Sequence, residues 1–111
     1  MTSPDDVLRA ALARAVEAVH GVAFLAPGLR GRMRAATGGP ALPVPADSGA
    51  GVLLSPRRPD GSRRIEIRLV CRSGERTLDI TRAVRATAVA LLDEELPGTK
   101  VHVRVNVTGL A

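Results

Sequence analysis

Aromatic residues are nearly missing from this chain: among 111 residues there is one Phe (Phe24), with no Trp and no Tyr. Its core is therefore expected to be aliphatic, built from Val, Leu, Ile and Ala, and to bury less area per side chain than an aromatic core does. Modest stability, or stabilisation by self-association, follows. The same lack argues against RNA or single-stranded DNA as a partner, because stacking bases needs aromatic platforms. Cysteine is limited to Cys71, so no internal disulfide can form, which fits a reducing compartment. No apolar run reaches the roughly 18 residues of a membrane-spanning helix. The acidic start Met-Thr-Ser-Pro-Asp-Asp is unlike a signal peptide. The expected location is the cytoplasm.

Lysine is also scarce. Lys100 is the only one, so fifteen of the 16 basic residues are Arg, and against 11 acidic residues they leave a formal net charge of +5. A positive surface favours acidic partners, whether nucleic acid, anionic lipid or protein. The plain alternative is a solvated, arginine-rich surface.

Each familiar catalytic arrangement is incomplete. His20, His102 and Cys71 are scattered over different segments and do not form a ligand cluster, so no metal site is expected. Cys71 alternates in phase with Ile65, Ile67 and Leu69, which points to a buried, inert thiol and not to a nucleophile. Ser3, Ser48, Ser55, Ser62 and Ser73 sit at caps and turns, where Ser is expected on structural grounds, and none lies in a G-x-S-x-G elbow. Gly38-Gly39 belongs to no phosphate-binding pattern. The consecutive Asp93, Glu94 and Glu95 splay around a helix and cannot face one another as an acid–base pair. No catalytic residue, cofactor or small-molecule substrate is expected.

The pattern that is present is one of alternating periods. Ser3-Pro4-Asp5-Asp6 opens a helix, with a capping Ser, Pro in the first turn and acids at the positive end of the dipole. Val7, Leu8, Ala11, Leu12, Ala15, Val16 and Val19 form its apolar stripe, and Gly21 stops it. Val22–Leu25 is a short strand. The Gly-, Pro- and Ala-rich stretch 35–51 reads as a flexible loop within a single domain spanning 1–111. A strand start at 51–54 leads to a hairpin turn over 56–64 with Asp60-Gly61 at its tip. Ile65, Ile67, Leu69 and Cys71 then alternate with Glu66, Arg68, Val70 and Arg72, a strand covered on one face only. A second helix runs from Thr77 to Leu96, with Leu78, Val84, Ala88, Leu91 and Leu92 as its stripe and Ile80 beside it. The acids of its last turn oppose the helix dipole and must be solvated or paired. Val101, Val103, Val105 and Val107 form the last strand and demand a buried surface opposite. The sum is an α+β, two-layer sandwich: two helices on one face of a small mixed sheet of three or four strands.

Two groups of bases stand out. Arg57, Arg58, Arg63 and Arg64 flank one turn, so a single hairpin would present four positive charges as an interaction patch; Arg30, Arg32 and Arg34 form a second group. Such clusters can bind phosphates or anionic headgroups, so a basic nucleic-acid-binding module is the alternative function.

Three segments together resemble the alkaline shock protein family, the small envelope-stress-response proteins of Gram-positive bacteria. Leu12 to Leu25 (LARAVEAVHGVAFL) is similar to the family's first helix running through a turn into a short strand. Leu69 to Gly74 (LVCRSG) is similar to its strand and glycine turn, and Leu96 to Leu110 (LPGTKVHVRVNVTGL) looks like its C-terminal strand. The likeness covers about residues 7–34 and 65–110. Two departures stand beside it: the strand that usually precedes the first helix has no counterpart, and the loop at 35–51 is longer and richer in Pro and Gly. Both fit a shortened actinobacterial form. The resemblance implies a non-enzymatic, cytoplasmic scaffold that self-associates into homo-oligomers. It also implies tethering to the inner face of the cell membrane by a small membrane-anchored protein.

Overall fold

Six elements follow one another among residues 3–26 and 51–111, the part that the computed structural model describes: α1 (Pro4–Glu17), β1 (Val22–Leu25), β2 (Val52–Leu54), β3 (Arg63–Cys71), α2 (Thr77–Glu95) and β4 (Val101–Leu110). The expected loop at 35–51 lies outside the described residues apart from Gly51, as do Arg30, Arg32 and Arg34.

Helix α1 begins as its sequence dictates. The extended Ser3 accepts a hydrogen bond from the Asp6 N–H at 3.1 Å through its hydroxyl, and Pro4 and two acids fill the first turn. Leu8, Leu12, Ala13 and Val16 are its buried residues. Val7, expected on the stripe, is instead exposed. Helix α2 buries Ile80, Val84, Ala88 and Leu92, a row at four-residue spacing. This corrects the expected stripe: Leu78 is two residues from Ile80, roughly 200° around the helix, and lies exposed. The turn after α1 approaches α2 closely at Gly21, whose φ of +92° suits glycine and whose missing Cβ would meet the Ile80 side chain at 2.6 Å.

Strand β3 is the axis of the sheet. On one side it pairs antiparallel with β1 (Leu25 opposite Leu69) and with β2 (Val52 opposite Ile67). On the other side it pairs parallel with β4, from Arg63 opposite Val101 to Cys71 opposite Leu110, so the sheet is mixed. Strands β1 and β2 lie in line along the same edge of β3. The Ala26 N–H donates to the Arg68 carbonyl at 2.9 Å, and the Arg68 N–H donates to the Gly51 carbonyl at 2.8 Å. Ala26 and Gly51 thus share the two bonds that a single residue would make in an uninterrupted antiparallel strand. The described chain leaves the sheet at Ala26 and re-enters it at Gly51, both bonded to Arg68.

The core lies between sheet and helices. Ile65, Ile67, Leu69 and Cys71 of β3 are fully buried, joined by Val22, Leu25 and Val52 and by the inner rows of both helices. Helix α1 packs over β1 and β2, and α2 over β4. The core is aliphatic apart from the Cys71 thiol. Phe24 takes no part in it and stands half-exposed on the other side of the sheet. The β4 valines do not reach the burial expected of them: Val101, Val103, Val105 and Val107 pack on the core but stay partly exposed.

Candidate functional site

Alternation along β3 sorts its side chains. Odd residues face the helices; Arg64, Glu66, Arg68 and Val70 face away, toward a side where none of the described elements packs. Phe24 lies beside Val70, Leu53 beside Glu66, Arg104 beside Glu66 on the opposite flank, Asn106 beside Arg68 and His102 beside Arg64. Arg68 Nε and Glu66 Oε1 are 3.4 Å apart, an ion pair along the strand. The uncovered face therefore mixes apolar side chains with arginines and one carboxylate.

At the tip of the β2–β3 hairpin, Asp60 accepts from both the Ser62 N–H (2.9 Å) and the Ser62 hydroxyl (2.6 Å), and these bonds hold its carboxyl below the usual range. The Arg58 N–H donates to the Ser62 carbonyl at 2.8 Å and closes the turn. Arg57, Arg58 and Arg64 are exposed there.

Arg63 does not belong to this patch. It is 8% exposed and lies on the helix side of the sheet, in phase with Ile65. Its guanidinium donates to both Asp5 carboxylate oxygens (3.0 and 3.1 Å) and, through Nε and Nη2, to the Ser55 carbonyl (3.1 and 2.9 Å). The hydrogen bond and charge of Arg63 pull Asp5 below its ordinary pKa. Arg63 is thus a clamp fastening the start of α1 to the hairpin, and three of the four expected patch residues remain. The sequence carried the signal: extending the alternation two residues back from Ile65 puts position 63 on the buried face.

The residues weighed for chemistry stay apart. Cys71 is buried, and desolvation pushes its thiol pKa up, away from the reactive thiolate. His20 Nε2 lies 3.1 Å from Glu75 Oε1 in an exposed pair, beside a shallow groove of about 390 Å³ also lined by Asp79 and Ile80. His102 is exposed on β4. No group of three or more His, Cys, Asp or Glu is placed to hold a metal ion among the described residues. No helix among them is long and apolar enough to cross a membrane. Asp93, Glu94 and Glu95 are solvated, with no ion pair of theirs among the described residues.

The far edge of β4, which pairs with no described strand, is the other open feature. Arg63 N–H donates to the Lys100 carbonyl at 2.9 Å. In a parallel ladder with Val101 opposite Arg63, residues 100, 102, 104 and 106 then bond β3, and Val101, Val103, Val105 and Val107 direct their N–H and C=O groups outward.

No family model, curated protein or solved structure matches the chain.

Proposed function

We propose that the protein is a non-enzymatic interaction protein, a self-associating scaffold of the cell-envelope stress response held at the inner face of the membrane by a membrane-anchored partner. The uncovered sheet face is the observation that carries the interaction reading. It presents the chain's one aromatic side chain with Leu53, Val70 and several arginines. Aromatic residues and Arg are enriched, and Lys depleted, where proteins meet. The envelope assignment rests on the alkaline shock resemblance, whose three segments span the α1–β1 junction, the end of β3 with its turn, and the α2–β4 junction. Two differently tagged copies expressed together test it. Each is expected to retrieve the other, with a small membrane-anchored protein, from the membrane fraction. Retrieval of neither overturns the proposal.

One observation favours a second reading, a basic nucleic-acid-binding module: Phe24, Arg64, Arg68 and Arg104 share that uncovered face. Binding to a single-stranded oligonucleotide that weakens steeply with salt, with the slope lowered by about one for each of Arg64→Ala and Arg104→Ala, supports it. Affinity indifferent to salt removes it.

A further inference from the structure

From the β4 edge we infer that a second copy of this chain pairs with it, antiparallel about a two-fold axis through Val105, joining two sheets into one. The inference rests on the self-association reading and assigns it a surface. Exposed sheet edges are ordinarily protected by Pro, Lys, an inward-pointing charge or a bulge. From Val101 to Val107, β4 has none of these: its bulge comes later, where the register with β3 shifts between Leu69 and Val70. Every outward main-chain group in that stretch belongs to a valine, and all four valines are packed on the core without being fully covered. A strand laid alongside extends the sheet across them and satisfies the open donors and acceptors together.

Side-chain charge selects the register. A two-fold axis normal to the sheet keeps its faces, so odd residues meet odd and even meet even. Centring on Val105 sets Val105 against Val105, Val103 against Val107, and Arg104 against Asn106 of the second copy. Val103, Val105 and Val107 all direct their main-chain groups outward, so those pairs are hydrogen-bonded ones. Centring on Arg104 gives more backbone pairing, four outward valine pairs against three, but it places two arginines directly opposite, which is destabilising. Centring on Asn106 loses the Val103 pair, because beyond the bulge the chain turns its groups to β3, as the Ala111 N–H bonded to the Cys71 carbonyl shows.

The test uses the full chain. Sedimentation should give a mass rising with concentration from 11.6 kDa toward twice that value. Hydrogen exchange should slow at the Val103, Val105 and Val107 amides as concentration rises, while those of His102 and Arg104, bonded within the protomer, stay constant. Val105→Pro removes an outward N–H and no bond to β3, at the cost of a half-covered side chain, so the fold is expected to persist by circular dichroism and the dimer dissociation constant to rise at least tenfold. Val105→Lys, which sets like charges across the axis, should do the same. A dimer that survives both variants, or whose concentration-dependent protection falls on other amides, overturns the edge assignment and leaves self-association standing. A protein monomeric at every concentration overturns both.

Discussion

The two flanks of β3 are finished to different degrees. On one, β1 and β2 are short, are closed at Arg68, and lie under a helix whose first turn is capped by Ser3 and clamped through Asp5 to Arg63. Their inward residues Val22, Leu25 and Val52 are buried. On the other, β4 is the longest strand among the described residues, its valines are half-covered and its outer edge pairs with no described strand. The helix above it starts at Arg76 without a side-chain cap and ends on Asp93, Glu94 and Glu95 with no base in its last turn. The first flank is complete within one chain. The second has the composition of a core and the coverage of a surface, and that mismatch is what the proposed pairing at β4 would resolve.

Truncations should show the difference in free energy. Leu12→Ala on the finished flank empties a fully buried site and should cost about 3 kcal/mol. Leu91→Ala over the open flank removes a half-buried side chain and should cost about 1 kcal/mol. Urea unfolding of both in dilute protein checks the ratio; equal losses would erase the distinction.

The closure at Arg68 can be broken by one methyl group. Gly51 has a φ of +92°, and a Cβ there would stand 2.7 Å from the Ala26 carbonyl oxygen and 2.9 Å from that of Arg68, both backbone atoms with no room to yield. Gly51→Ala should destabilise by about 2 kcal/mol. Amide exchange should quicken along β1 and β2 before it does along β4.

The clamp is next in size. Asp5→Asn leaves the buried Arg63 guanidinium facing a neutral amide, while the Ser55 carbonyl still accepts from it. About 1 kcal/mol is expected, reduced by the exposure of the carboxylate. Because the folded-state pKa of Asp5 is depressed below its ordinary 3.8, the pair's contribution is complete above that value and fades as pH falls through the depressed one. Stability curves of the parent and Asp5→Asn should therefore differ at neutral pH and converge in strong acid. A constant gap across the acid range would mean the loss is not electrostatic.

Element order was legible because the periods change cleanly: 3.6 over α1 and α2, two over β3 and β4. Local pattern failed where identity of residue and position in phase disagreed. By residue type Arg63 reads with its basic neighbours, although its phase along β3 belongs with Ile65. By hydrophobicity Leu78 reads as core, although Ile80 starts the row that α2 buries. The incomplete burial of β4 was invisible for another reason. Alternating valines state which face of a strand is apolar, but not whether the sheet continues beyond it. The uncovered face was half-legible: the charged partners of β3 announced it, whereas Phe24 stands there only because a register shift between Val22 and Phe24 sets it beside Val70.

The two helix starts offer the smallest and most symmetrical contrast. Residues Ser3 and Asp6 make a reciprocal box: the Ser3 hydroxyl accepts from the Asp6 N–H, and hydrogen bonds from Ser3 hold the Asp6 carboxyl below its ordinary pKa. Helix α2 has the acid at the matching place, Asp79, but Arg76 at the cap, with only an exposed 3.7 Å ion pair between them. The backbone of Arg76 is already extended, at φ −77° and ψ 108°, as a cap requires. Ser3→Ala should therefore cost about 1 kcal/mol, and Arg76→Ser should add about 0.5 kcal/mol, the hydroxyl gaining the bond that the guanidinium cannot make. Thermal unfolding of both variants checks the signs. If Arg76→Ser lowers stability, the Arg76–Asp79 pair matters more than its exposure implies, and the α2 flank is better finished than its missing cap suggests.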